Sequence, residues 1–83
     1  MRLAGSNLID AVLYQADLRD AVLSGVIAEG VDLRGTDLTR SDLRNANLRG
    51  ARMDYADLRE ATLTGADLTE ATLKRVVFDE KTE

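Results

Sequence analysis

Residues 41–60, SDLRNANLRGARMDYADLRE, contain one five-residue pattern four times. Each copy has a small residue two positions before a large apolar centre, as in Ala56-Asp57-Leu58. All thirteen leucines of the chain fall on this register, and the three centres without leucine are Ala28, Met53 and Phe78. The repeat small-x-Leu-x-x therefore runs through sixteen copies without a slip.

A five-residue period excludes the two common regular structures. On an α-helix, steps of five residues turn successive leucines by about 140° and spread them over every side. On one straight strand, an odd step places successive leucines on opposite faces, because side chains alternate with period two. All leucines can point inward only if the chain turns a corner once per repeat. The pattern therefore predicts a chain that coils around its own core, with coils stacked at parallel-strand spacing.

The corners are expected two residues after each centre, where all six glycines lie. Glycine and asparagine tolerate the positive φ that many tight turns require. A weak 20-residue period favours four repeats per coil, because every twentieth residue from Gly5 is Gly or Asn. Residues 20, 40, 60 and 80 include no glycine. We therefore expect left-handed corners on one side of the coil and none at these four positions.

Composition excludes several classes of function. The 83 residues suffice for one small domain, and they include no Cys and no His. The chain thus lacks thiolate ligands and the commonest metal ligand and general base. No apolar run approaches the roughly 18 residues of a membrane span, and no signal pattern follows Met1. We expect a cytoplasmic protein without enzyme activity, cofactor or membrane contact, and the net charge of −4 argues against direct nucleic-acid binding.

Several repeats point to a known family. The segments Ala16-Asp17-Leu18, Ala46-Asn47-Leu48 and Ala66-Asp67-Leu68 resemble the Ala-Asp/Asn-Leu-x-x unit of pentapeptide-repeat proteins, and the likeness extends to about residue 80. The resemblance implies an all-β fold, a right-handed quadrilateral parallel β-helix (solenoid) with four repeats per coil. Residues 1–83 would then form a single domain of about four coils. The expected coils are 1–20, 21–40, 41–60 and 61–80, followed by a tail at 81–83.

Large apolar residues at outward positions, directly before and after each centre, cluster in the first half of the chain. Between Asp42 and Lys74 these positions carry none. We call the cluster the apolar patch and predict that it is an interaction surface. Its members are Ile9, Val12, Tyr14, Val22 and Ile27.

A second candidate contact lies at the C-terminal end, where Val76, Val77 and Phe78 form the last apolar repeat. A solenoid needs its ends covered, because an open end exposes core residues and unpaired backbone groups. Either the chain is a fragment of a longer rod, or another copy covers its ends. We favour self-association, with a separate protein partner as the other possibility.

Three carboxylates lie twenty residues apart, at Asp17, Asp37 and Asp57, and would form one vertical acidic ladder on a four-sided coil. One interpretation is a divalent-cation site. The interpretation that we favour is a solvated face neutralised by arginines of the same side, because one carboxylate per coil gives no six-oxygen cage. Likewise, we expect Val26 and Val31 to refill the space beside the small centre Ala28, rather than to line a pocket.

The sequence therefore predicts a non-enzymatic structural or protein-interaction module. The family resemblance implies an alternative, a DNA mimic that binds a type II topoisomerase such as gyrase. The side with residues 16–20, 36–40, 56–60 and 76–80 has seven acids and three bases. Its net charge is therefore −4. About 20 Å of duplex DNA carries roughly twelve negative charges, so this side is a poor match and we rank DNA mimicry second.

Overall fold

The backbone turns a corner every five residues and returns to the same side after twenty. The structure is a computed structural model, and it describes residues 2–79. Its regular elements are twelve isolated parallel β-bridges between residues twenty apart, from Arg2 with Val22 to Asp57 with Val77. Two-residue turns separate them, at 4–5, 9–10 and so on to 74–75. Parallel pairing at this spacing is what the sequence predicts, although single bridges take the place of the expected short extended strands.

The bridges form four columns, and each column marks one side of the coil. Side 1 comprises residues 2–5, 21–25, 41–45 and 61–65; side 2 comprises 6–10, 26–30, 46–50 and 66–70; side 3 comprises 11–15, 31–35, 51–55 and 71–75; side 4 comprises 16–20, 36–40, 56–60 and 76–79. The expected tail at 81–83 lies outside the described residues.

Three of the five backbone amides in a repeat bond to neighbouring coils. In the repeat 46–50, Asn47 N–H donates to Val26 of the preceding coil at 2.8 Å, and Leu48 N–H donates to Asp67 of the following coil at 2.9 Å. The corner residue Gly50 also donates to the following coil, at 2.9 Å. The coils are therefore joined by backbone hydrogen bonds in both directions, which satisfies groups that burial would otherwise penalise.

The other two amides bond locally along the chain. Ala46 N–H donates to Leu43 C=O at 3.1 Å and closes the turn that precedes the repeat. Arg49 N–H donates to the Asn47 side chain at 3.2 Å. The same side-chain acceptor recurs at every Asp or Asn that precedes a described centre: Asn7, Asp17, Asp32, Asp37, Asp42, Asn47, Asp57 and Asp67.

This acceptor gives a physical reason for Asp and Asn at that position. Sequence reasoning assigned these residues only to solvent, because they point outward. In the structure their side-chain oxygens accept a hydrogen bond from the one backbone N–H of the repeat that has no backbone acceptor. This arrangement is that of an Asx turn.

The corners differ from the prediction. Every fifth residue from Gly5 to Arg75 has positive φ, and nine of these fifteen residues are not glycine. The expectation that residues 20, 40 and 60 would not form left-handed corners is wrong, since Asp20, Arg40 and Glu60 have φ of 58°, 60° and 59°. All four sides close with the same turn, whose third residue has the positive φ of a type II turn. Because the turn is the same everywhere, a missing glycine does not mark a different corner.

The core lies on the coil axis, as predicted. Leu38, Leu43 and Leu48 are fully buried in the middle coils, and Met53 fills its centre position in the same way. Towards the end of the described chain the centres become accessible, and Phe78 is 71% exposed although it occupies a centre position. No further coil covers Phe78 within the described residues.

The small centre Ala28 is buried, and so are its neighbours Val26 and Val31. A cavity of about 10 Å³ remains among the apolar side chains there. This volume matches about one water molecule, and its lining offers no hydrogen-bonding side chain. The two valines thus refill most of the space, in agreement with the prediction of a repacked core.

Candidate interaction surfaces

The apolar patch is divided among three sides. Ile9 and Ile27 are exposed on side 2, and Val12 (74% exposed) and Tyr14 are exposed on side 3. Val22 lies on side 1 and is only partly exposed. Side 2 and side 3 meet at the corner of Asp10, so four of the five predicted residues lie on two adjoining sides of the coil.

The acidic ladder lies on side 4, as predicted, and its carboxylates are bonded to neighbouring side chains. Asp17 pairs with Arg19 at 2.8 Å, and Asp57 pairs with Arg59 at 2.6 Å. Asp37 accepts a hydrogen bond from the Thr39 hydroxyl at 2.6 Å. Arg19 lies between the Asp17 and Asp37 carboxylates, because its Nε is also 3.8 Å from Asp37.

These bonds lower the pKa values of two carboxyls of the ladder. Hydrogen bonds from the Arg19 side chain and backbone lower the pKa of Asp17 to about 2. The Arg59 guanidinium likewise lowers the pKa of Asp57. Within residues 2–79, no group of three or more carboxylates is arranged to hold a metal ion. The geometry therefore favours a face of paired charges over a cation site.

A further surface on side 3 was missed by sequence reasoning. The Arg34 guanidinium lies 5.3 Å from the centroid of the Tyr14 ring and pairs with Asp32 at 2.8 Å. Tyr55, a corner residue that is 62% exposed, lies one coil above Gly35. An open recess of about 400 Å³ is lined by Tyr14, Gln15, Arg34, Gly35 and Tyr55.

The signal for this recess was present in the sequence at a spacing of twenty. The corner column of side 3 reads Gln15, Gly35, Tyr55 and Arg75. Gly35 has no side chain in that column, and the Gln15 side chain packs close to it, since a Cβ at Gly35 would lie 3.1 Å from Gln15 Cγ. Sequence reasoning treated the corners as turn residues only, and so did not search them for a binding site.

The predicted end contact is also open. Val77 and Phe78 are exposed, whereas Val76 packs partly against the core. A recess of about 380 Å³ at this end is lined by Leu58, Leu63, Leu68, Leu73, Arg75, Val76 and Phe78. The structure thus presents the apolar surface that an end-to-end contact needs, and that contact stays a prediction.

The repeat identifies the family of this chain. The family model described as pentapeptide repeats (8 copies) matches residues 2–40 and 41–79. The chain belongs to the pentapeptide-repeat family. Proteins of this family are in general structural modules without catalytic activity.

Solved pentapeptide-repeat structures resemble the chain over nearly its whole length. One, from the cyanobacterium Cyanothece 51142, is 38% identical over 98% of the chain, with a TM-score of 0.50. A second, from the Arabidopsis thaliana thylakoid lumen, is 30% identical over 90%, with a TM-score of 0.68. A third, from Nostoc Pcc 7120, is 31% identical over 99%, with a TM-score of 0.55.

These neighbours are longer than the chain. It spans 62% of the Cyanothece protein, 56% of the Arabidopsis protein and 70% of the Nostoc protein. Comparison with curated proteins gave no match. No segment of the described chain forms a helix long and apolar enough to cross a membrane. Because one neighbour comes from a thylakoid lumen, the cytoplasmic location stays a prediction.

Proposed function

We propose that this chain is a non-enzymatic protein-interaction module, built as a right-handed quadrilateral parallel β-helix, that docks through the apolar patch. A second copy of the chain is the first candidate partner, and another protein is the second. The observation that carries the proposal is the pair Ile9 and Ile27, both exposed on side 2 of the first two coils. Monomeric proteins rarely leave large apolar patches in water, and such patches often mark interaction sites.

The backbone supports this role by holding the patch rigid. Ile27 N–H donates to Ser6 C=O at 2.8 Å, and Ile27 C=O accepts from Leu8 N–H at 2.6 Å. Residues on two successive coils are therefore fixed relative to each other before any partner arrives. A preorganised surface loses little conformational entropy on docking, and this favours association.

Light scattering at high micromolar concentration tests the proposal. We expect the wild-type protein to be larger than a monomer and Ile27→Glu to be monomeric, because the carboxylate would be buried without a partner charge. Thr62→Glu is the matched control, since it places the same charge at a bridge position outside the patch. Phe78→Ser should leave the assembly intact.

Two outcomes would count against the patch as the self-association surface. If Phe78→Ser yields monomers and Ile27→Glu does not, the contact lies at the C-terminal end. If the wild-type protein is monomeric throughout, the chain does not associate with itself.

The alternative role as a DNA mimic has less support from the charges. A mimic must present unpaired negative charge to the DNA-binding surface of its target. On side 4, Asp17 and Asp57 pair with arginines of their own repeats, and Asp20 pairs with Arg40 of the next coil at 2.8 Å. The side thus presents ion pairs rather than an uninterrupted row of anions.

A further inference from the structure

The charges of the chain are segregated by side, although the whole chain is acidic. Side 3 carries four bases and two acids, and it is flanked by side 2, with four acids and one base, and by side 4, with six acids and three bases among its described residues. The charged residues of side 3 are Arg34, Arg52, Lys74 and Arg75, with Asp32 and Asp54. Side 3 is therefore a positive strip between two negative sides.

Three of the four cations of this strip form no ion pair among the described residues, whereas the fourth, Arg34, pairs with Asp32. The arginines of sides 2 and 4, and Arg44 of side 1, form ion pairs within their own repeat or with an adjacent coil. Within residues 2–79, by contrast, Arg52, Lys74 and Arg75 of side 3 form no ion pair. Arg52 acts on Asp32 of the preceding coil only through longer-range attraction, which contributes to the low pKa of Asp32. Three unpaired cations thus lie on two successive coils of one side.

The recess between the tyrosines adjoins these cations. Tyr55 stands at the corner of the coil that carries Arg52, and Arg75 is the next residue up the same corner column. The recess offers aromatic surface from Tyr14 and Tyr55, and amide and guanidinium donors from Gln15 and Arg34. Such a site suits an apolar side chain that is flanked by carboxylates.

We propose that side 3 binds an extended acidic segment of a partner protein. The carboxylates of the segment would contact Arg52, Lys74 and Arg75, and one apolar side chain would enter the recess beside Tyr55. The distance along side 3 from its first coil to its fourth is about 14 Å, at about 4.8 Å per coil, which matches four to five extended residues at about 3.3 Å each. This inference rests on the proposed role as an interaction module. It shares Tyr14 with the apolar patch, but it does not use Ile9 or Ile27 of side 2.

The flanking charges favour an acidic peptide over nucleic acid. A duplex broader than one side would bring its phosphates against the acidic sides 2 and 4, and that repulsion would oppose the attraction from side 3. A single extended peptide can follow the strip without reaching its neighbours.

Titration with a fluorescein-labelled peptide, Glu-Glu-Leu-Glu-Glu, tests the inference. The chain contains two tyrosines and no tryptophan, so its intrinsic fluorescence comes from Tyr14 and Tyr55 at the proposed site. We expect saturable binding by fluorescence anisotropy, a change in tyrosine emission of the unlabelled complex, and weaker binding as salt rises. A ten-base-pair DNA duplex should bind more weakly than the peptide, because its phosphates would also meet the acidic sides 2 and 4.

Arg52→Gln and Arg44→Gln form a matched pair of variants. Each removes one exposed arginine charge, but Arg44 lies on side 1 and is paired with Asp42 at 2.7 Å. We expect Arg52→Gln to weaken peptide binding by about tenfold, the size of one lost charge-assisted contact. Arg44→Gln should change it less than twofold.

Equal losses of peptide affinity in the two variants would overturn the inference. They would show that the peptide is attracted by the overall charge of the protein and not by side 3. Absence of peptide binding at low salt, or tighter binding of the duplex, would also overturn it. The two proposals can fail separately. Ile27→Glu reports on self-association through side 2, and a monomeric Ile27→Glu protein should still bind the peptide.

Discussion

At the scale of single residues, the chain contains two buried hydroxyls in equivalent positions with different surroundings. Thr36 and Ser41 both stand two residues before a centre, where Ala is common, and both are almost fully buried. The Thr36 hydroxyl donates to Leu13 C=O at 2.9 Å. The Ser41 hydroxyl has no hydrogen-bond partner among the described residues. A buried polar group without a partner lowers stability, whereas a bonded one contributes to it.

We therefore expect Ser41→Ala to raise the free energy of unfolding by about 1 kcal/mol, because it removes a desolvated hydroxyl. Alanine fits the site, since Ala21 and Ala61 occupy the same column on the adjacent coils. Thr36→Val is the control and should lower stability by about 1 kcal/mol, because Leu13 C=O loses a donor. Denaturant unfolding followed by circular dichroism measures both changes. A loss of stability in Ser41→Ala would mean that its hydroxyl is bonded in solution.

At the scale of the repeat, the segment Asp-Leu-Arg forms a closed local unit. In residues 32–34 the Asp32 carboxylate accepts hydrogen bonds from the Arg34 backbone N–H at 3.2 Å, from Nε at 2.9 Å and from Nη2 at 2.8 Å. The bonds from the Arg34 side chain are the main cause that lowers the pKa of Asp32 to about 2. Similar bonds lower the pKa of Asp42 and Asp57. One repeat thus neutralises its own carboxylate while it satisfies its own amide.

This unit predicts how stability depends on pH. A carboxyl whose pKa is lower in the folded state stabilises that state fully above its unfolded pKa, near 4, and the contribution is lost as pH falls through about 2. We expect the melting temperature to be constant from pH 7 to about 5 and to fall steeply between about pH 4 and 2. Asp32→Asn keeps an oxygen for the Arg34 amide but cannot titrate. It should melt below the wild type at pH 7, and the two melting temperatures should converge as pH falls through about 2. Parallel curves would show that the ion pair contributes nothing.

At the scale of the whole molecule, the distribution of charge separates the candidate roles. Side 4 is acidic, and several of its carboxylates are paired with arginines, while three of the unpaired cations among the described residues lie on side 3. A DNA mimic would need an uninterrupted negative surface, and this chain alternates the sign of its charge from side to side.

We therefore expect the purified protein to leave gyrase supercoiling unchanged at micromolar concentration. Asp37 is the informative position, because it lies mid-ladder and its nearest cation, Arg19, is 3.8 Å away and already bonded to Asp17. Salt-sensitive inhibition by the wild type that Asp37→Lys abolishes would show that mimicry is correct. Inhibition that persists in Asp37→Lys would point to another surface.

The coil, the position of its corners and the residues of its core could be predicted without the structure. Each of these follows from a local rule, since side chains alternate along the backbone and thirteen leucines in one five-residue register must share an interior. Fully buried Leu38, Leu43 and Leu48 confirm that register. The family also followed from the repeat alone.

The contacts that form between residues twenty apart required the three-dimensional structure, although the spacing itself is visible in the sequence. The sequence did not reveal the positive φ of Glu60. Every side of the coil closes with the same turn, which imposes this φ on whichever residue occupies the corner. The recess of Tyr14, Arg34, Gly35 and Tyr55 was hidden because its members come from three coils. A periodic sequence shows which way each side chain points, but the neighbours across coils depend on the stacking, and stacking alone brings the tyrosines and the free cations onto one side.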